Sequence, residues 1–264
     1  MKPIILVTND DGVTAPGIRS LIEAVHQMGE VIVVAPDSPQ SGMGHAITIG
    51  KPLRLDEVHL FDDLGVKAWQ SSGTPVDCVK LAHDVILHRR PDICVSGINH
   101  GSNASINVIY SGTMSAAMEA AIEGIPSAGF SLMDFNFDAD FTVAKQVARE
   151  VVGRMLADRM PEHFLLNVNI PKVTQEQFKG IRVCRQADAQ WNENFDRRRD
   201  PRGRAYYWMT GKFVNRDKGE DTDVEALENG HASVVPVRID LTDNDMKQWL
   251  ETKFPDYAFK PQVY

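Results

Sequence analysis

Short apolar runs alternate with segments of helical periodicity along the first 170 residues of the chain. Residues 4–7 form the first run, which predicts a strand buried on both faces. Residues 18–28 then place apolar side chains at the spacing of an amphipathic helix that ends at Gly29, and residues 31–34 predict a second buried strand. A strand, a helix and a strand in this order predict a βαβ unit, in which the two strands are parallel.

The same alternation continues to residue 170. The further elements predicted are a helix at 74–87, a strand at 93–95, a helix at 114–123, a strand at 128–130, a helix at 143–155 and a strand at 164–169. Thr74 and Pro75 mark the start of the first of these helices, since Thr caps helix N-termini and Pro suits the first helical position. The pattern predicts a doubly wound, mostly parallel α/β domain over residues 1–170.

The pattern changes after Pro171, where charged loops rather than helices separate the strands. Residues 181–184, 205–209 and 233–239 predict strands, and Thr242 with Asp243 begins a predicted helix that runs to about residue 254. A basic run at 197–204 lies between two of these strands and is interpreted as a solvated loop or subunit contact, with phosphate binding as the alternative. We therefore predict a smaller antiparallel β-hairpin and helix appendage over residues 171–264.

Composition narrows the classes of protein to consider. The 264 residues are 43% hydrophobic and 24% charged, which is typical of a folded protein large enough to need no disulfide or structural metal. A net charge of −8 argues against duplex nucleic acid as a partner, because binding the phosphate backbone needs a basic surface. The apolar runs are too short for a membrane span or an export signal, and three widely spaced cysteines indicate reduced thiols, so we expect a cytoplasmic protein.

Polar residues follow three predicted strands at the edge where an open parallel sheet binds ligands. Asp10 and Asp11 follow the first strand, and two adjacent carboxylates at a buried strand end find their most direct partner in a divalent cation. The alternative is an ordinary Asp-Gly turn with Asp10 capping the next helix. Ser41 and Asn99, which follow the second strand and the strand at 93–95, add neutral oxygens. Such a set suits Mg²⁺, Mn²⁺ or Ca²⁺ better than Zn²⁺.

The start of the helix at 114–123 is a candidate phosphate site. Ser111, Gly112 and Thr113 precede it, and a helix N-terminus offers free N–H groups and a positive dipole end, although an ordinary Ser or Thr cap gives the same pattern. His45 and His100 lie in the same set of loops, either as proton donors or substrate contacts or as bystanders. Neither a dinucleotide-binding fingerprint, a P-loop nor a serine-hydrolase elbow is present in the sequence.

Four segments together resemble the SurE family (survival protein SurE) in order and spacing. They are TNDDG at 8–12, the segment at 35–42 with its Ser-Gly, SGINHGSN at 96–103 and YSGTMSAA at 110–117. The resemblance implies a Rossmann-like core and a metal-dependent 5′-nucleotidase or acid phosphatase. It also implies metal ligation by Asp10, Asp11, Ser41 and Asn99, and a C-terminal part that exchanges elements between subunits of a homodimer or homotetramer.

We therefore expect a phosphomonoesterase that hydrolyses nucleoside monophosphates with one divalent cation, Mg²⁺ or Mn²⁺, and with Asp10 and Asp11 as catalytic residues. The sequence leaves open whether water or Asp10 attacks the phosphorus. A metal-dependent glycosyl or nucleotidyl transferase and a non-catalytic nucleotide-sensing protein are the alternatives. The residues expected to bind the substrate are Asn9, Gly42, Asn103, Ser111, Gly112 and Thr113.

Overall fold

A computed structural model describes residues 2–254 of the chain. Its strands are β1 (Ile4–Thr8), β2 (Glu30–Pro36), β3 (Leu55–Val58), β4 (Lys67–Ser71), β5 (Ile93–His100), β6 (Ser127–Leu132), β7 (Leu165–Ile170), β8 (Ile181–Val183), β9 (Ala189–Arg199), β10 (Ala205–Asn215) and β11 (Ala232–Pro236). Its α-helices are α1 (Pro16–Val25), α2 (Pro75–Leu81), α3 (Gly112–Ile122), α4 (Thr142–Ala157), α5 (Asp223–Glu228) and α6 (Asn244–Glu251). A π-helical turn at Ala82–Leu87 continues α2, so this helical segment ends where the sequence predicts.

Nine strands form one mixed sheet in the order β3-β4-β2-β1-β5-β6-β7-β11-β8. The six strands from β4 to β7 in that order are parallel to one another, whereas β3 pairs antiparallel with β4 and β11 pairs antiparallel with β7. Alternate residues of β1 face opposite layers: Ile5 and Val7 pack with α1 and α4, and Ile4 and Leu6 pack with α2 and α3. The predicted doubly wound α/β fold is confirmed.

The hairpin of β9 and β10 forms a separate antiparallel sheet, as predicted for the C-terminal part. The interpretation of the basic run as loop is wrong for residues 197–199, which lie in β9 opposite Ala205, Tyr206 and Tyr207. Almost every residue of β9 is exposed, so its sequence lacks the alternation by which a half-buried strand is found. The edge strand β3, its neighbour β4 and the short helix α5 were not predicted either.

The two C-terminal strands β8 and β11 extend the main sheet beyond β7. The division of the chain into domains at residue 170 therefore stays a prediction. The last helix, α6, begins one residue after Asp243, whose side chain accepts a hydrogen bond of 2.9 Å from the backbone of Met246, close to the predicted start. Within residues 2–254 no helix is long and apolar enough to cross a membrane.

Candidate active site

The paired aspartates lie two and three residues beyond the end of β1, where the chain turns sharply. Asp10 is only 4% exposed, and Asp11 is half-buried. Gly12 makes the turn with a positive φ of 96°, a conformation that favours glycine. The side chain of Asn9 closes the turn by donating a hydrogen bond of 2.9 Å to the Gly12 carbonyl.

Three other segments contact the aspartate pair. The backbone N–H of Gln40 donates to the Asp10 carbonyl at 2.7 Å, and that of His100 donates to Oδ2 of Asp11 at 3.2 Å. The hydroxyl of Thr113 donates to Oδ1 of Asp10. These contacts bring the loops that carry the other predicted site residues to the two carboxylates.

Helix α3 starts directly against Asp10. A Cβ atom at Gly112 would lie 2.7 Å from Cβ and 2.9 Å from Oδ2 of Asp10, so glycine is required for this close approach. The hydroxyl of Ser111 accepts a hydrogen bond of 3.0 Å from the backbone of Met114 and thereby caps the helix. The positive end of the helix dipole therefore adjoins the aspartates and forms an environment that favours a bound anion.

Asn99 and Ser41, the two candidate ligands with uncharged oxygens, differ in whether the protein fixes their side chains. The amide nitrogen of Asn99 donates to the Gly101 carbonyl at 2.8 Å, which directs the amide oxygen away from that carbonyl. Ser41 and Gly42 are exposed and follow directly on Gln40, the residue bonded to Asp10. Their roles as metal ligand and substrate contact stay predictions.

Asn103 is held by hydrogen bonds to residues of strands β6 and β7. Its amide nitrogen donates to the Ser131 hydroxyl at 2.7 Å, and its backbone N–H donates to the side chain of Asn169 at 2.7 Å. Asn169 donates in turn to Asn167 at 2.9 Å, and Asn167 donates back to the Asn103 carbonyl at 2.9 Å. This closed network fixes the loop after β5. We did not predict it, although two asparagines within the buried strand β7 were a signal that could have revealed it.

Burial makes both carboxylates harder to ionise. It raises the pKa of Asp10 to about 6, an effect that the Thr113 hydrogen bond opposes and the charge of Asp11 reinforces. Burial also raises the pKa of Asp11, and the hydrogen bond from His100 opposes that rise. The hydrogen bonds from Thr113 and His100 thus do not offset the cost of burying the charges of Asp10 and Asp11. A bound cation would offset it.

The predicted ligand atoms at this site, those of the two aspartates, Ser41 and Asn99, are all oxygens. Residues 2–254 contain no group of three or more His, Cys, Asp or Glu side chains that could hold a metal ion. A cation here would therefore combine the two aspartates with neutral oxygens. Asn9 adds a buried carbonyl oxygen, Oδ1, that has no hydrogen-bond partner. Such a set fits Mg²⁺ or Mn²⁺ and fits the nitrogen- and sulfur-seeking Zn²⁺ poorly.

Known proteins similar to the chain cover nearly all of it. The family model described as survival protein SurE matches residues 5–193, which include all four segments at the aspartate pair. A protein named 5′-nucleotidase SurE from Christiangramia forsetii is 59% identical over 252 residues, a match that covers 94% of this chain and 97% of that protein. A protein of the same name from Bacteroides fragilis is 42% identical over 255 residues, a match that covers 94% of this chain and 98% of that protein. The crystal structure of the SurE protein from Aquifex aeolicus, at 38% identity, has a TM-score of 0.82 and covers 95% of this chain and 99% of its own.

Proposed function

The chain belongs to the SurE family, and from that premise we infer that it is a 5′-nucleotidase, a phosphomonoesterase that releases phosphate from a nucleoside monophosphate. The family and the activity expected from the sequence motifs are thereby confirmed, and the transferase and the nucleotide sensor are not favoured. The observation that carries the inference is the meeting of four chain segments at a buried aspartate pair beside the N-terminus of α3.

We propose further that Asp10, Asp11, Ser41 and Asn99 bind one divalent cation, Mg²⁺ or Mn²⁺. The raised pKa of both carboxylates supports this assignment, because a buried and a half-buried acid side by side need positive charge nearby. The oxygen-only donor set supports the choice of metal. When bound, the cation supplies positive charge that stabilises the phosphoryl group in the transition state.

The protein's own groups hold the substrate and orient the acids. The N-terminus of α3 accepts the phosphate, with Ser111, Gly112 and the backbone of the segment at Gly42 around it. The hydroxyl of Thr113 donates to Oδ1 of Asp10 and so orients the carboxylate. Asn103 fixes the loop after β5 through its hydrogen bonds. The contacts of both residues with the substrate stay predictions. Attack by water and attack by Asp10 are both compatible with this arrangement.

A phosphate-release assay tests the proposed function. The wild-type protein should release phosphate from nucleoside 5′-monophosphates in Mn²⁺ without any acceptor, which a transferase would need. Excess EDTA should abolish the release and added Mn²⁺ should restore it. The variant D10A should be folded and inactive, whereas D138N, at an exposed acid, should keep full activity. Full activity in EDTA would refute the metal, and absence of release from every nucleoside monophosphate would refute the function.

We also propose that the protein is a homodimer or homotetramer in a reducing cytoplasm. The hairpin of β9 and β10 exposes Phe195, Trp208 and Met209 by 58–70%, and an isolated two-stranded hairpin is only marginally stable. A second subunit packed on it would supply the missing contacts. The free cysteines Cys78 and Cys94 are buried, as is Cys184, which suits a compartment that keeps thiols reduced. Light scattering on the purified protein tests the oligomer, which a monomeric mass at micromolar concentration would exclude.

A further inference from the structure

The loop that carries Ser41 is fixed to the protein at both ends. On one side Gln40 is bonded to the Asp10 carbonyl at 2.7 Å. On the other side Nε2 of His45 lies 2.8 Å from Oε2 of Glu119, in the C-terminal half of α3. Residues 46–48 are bonded to the start of α2 at 2.7 and 3.1 Å. Of these anchors on the far side, His45 is the one closest to Ser41 along the chain.

Glu119 is a strong acceptor for this contact. Glu119 as a whole residue is only 4% exposed, and both of its carboxylate oxygens have a partner: Oε1 contacts Nζ of Lys80 and Oε2 contacts His45. The hydrogen bond with His45, aided by Lys80, lowers the pKa of Glu119 despite the cost of burial. Because Nζ of Lys80 contacts Oε1 of Glu119 directly, Glu119 keeps a positive neighbour if His45 is removed.

The segment between the two anchors lies outside any helix or strand. Residues 41–44 include Gly42 and Gly44, with φ of 71° and 57°, and glycine has the greatest conformational freedom of any residue. A Cβ atom at Gly44 would lie 3.5 Å from the Ile109 carbonyl, so the segment passes just before the start of α3. The position of Ser41 therefore depends on what holds the ends of the segment.

We propose that His45 is a positioning residue, which by its contact with Glu119 fixes residues 41–44 and so holds Ser41 at the candidate metal site. The inference rests on the proposed function, because it assumes that Ser41 is a metal ligand. His45 would not bind the metal itself but would position Ser41, which does. Loss of such an outer contact commonly weakens metal binding 10- to 100-fold.

Calorimetric titration of the metal-free protein with Mn²⁺ measures this effect without relying on activity. In H45A the Kd for Mn²⁺ should rise about 10-fold, at the lower end of the range for outer contacts. In H45Q the affinity should largely recover, because the glutamine amide can donate to Glu119 in place of the ring nitrogen. The matched control is H59A, which removes an exposed histidine 3.3 Å from the Asp62 carboxylate and should bind Mn²⁺ as the wild type does.

A double-mutant cycle shows whether His45 acts through Ser41. If it does, S41A alone should weaken binding, and S41A/H45A should bind Mn²⁺ no more weakly than S41A. Fully additive losses, or wild-type affinity in H45A, would overturn the inference while leaving the proposed function intact. A wild-type protein that releases phosphate at full rate but binds no Mn²⁺ would refute the proposed metal site and this inference with it.

Discussion

Replacing Asp10 by asparagine should stabilise the metal-free protein while destroying its activity. Burial raises the pKa of Asp10 from 3.8 in the unfolded chain to about 6 in the folded protein. The folded state therefore binds more protons between these two values, and its stability falls as the pH rises through this window. The uncharged side chain of D10N avoids that loss.

The size of the effect follows from the difference in pKa. About 2.2 pKa units correspond to about 3 kcal/mol at pH 7.5 and to about 1.6 kcal/mol at pH 5. The asparagine oxygen can still accept from Thr113, but its new N–H₂ group faces the start of α3 and costs about 1 kcal/mol at both pH values. D10N should thus exceed the wild type in free energy of unfolding by about 2 kcal/mol at pH 7.5, and this excess should shrink by about 1.4 kcal/mol at pH 5.

Urea unfolding in EDTA at one fixed protein concentration measures both values. The control is D138N, which removes an exposed carboxylate and should change the free energy of unfolding by less than about 0.5 kcal/mol. Mn²⁺ should then stabilise the wild type and leave D10N unchanged, because only the former keeps both carboxylates. If D10N were no more stable than the wild type at either pH, Asp10 would not bear the cost of burial assigned to it.

Three further substitutions test the parts that surround Asp10. G112A places a Cβ 2.7 Å from that of Asp10, so kcat for phosphate release should fall at least 10-fold with the fold retained by circular dichroism; unchanged kcat would contradict the close approach. T113V removes a hydrogen bond that lowers the pKa of Asp10, so the acid limb of the pH profile of kcat/KM should move to higher pH rather than stay in place. N169A leaves the Asn103 N–H without its partner and should lower the free energy of unfolding by about 1–3 kcal/mol, measured by urea unfolding; no loss would mean that the network does not hold the loop.

The sequence predicts the buried parallel strands well, because strands covered on both faces are continuous apolar runs such as residues 4–7 and 31–34. It also predicts which segments meet, since parallel strands deliver their carboxyl ends to one edge of the sheet. Strand β9 could not be predicted, because it is exposed on both faces and its sequence therefore has no apolar pattern. It is a strand because it pairs with β10.

Contacts between residues distant in the chain could not be predicted in the same way. His45 and Glu119 are 74 residues apart, and a glutamate within a helix normally indicates a solvent-exposed face. The packing of α3 against α2 brings Lys80 to it. Likewise, the spacing around Ser111 indicates a helix start, but not that Gly112 lies against Asp10.

We propose that the two aspartates, Ser41 and Asn99 together bind one divalent cation. Anomalous diffraction from a crystal of the wild-type protein soaked in Mn²⁺ tests it most directly. We predict a single manganese peak with oxygen atoms of Asp10, Asp11, Ser41 and Asn99 at about 2.0–2.6 Å. A manganese peak bound elsewhere, or no peak at the aspartate pair in an active crystal, would contradict the account.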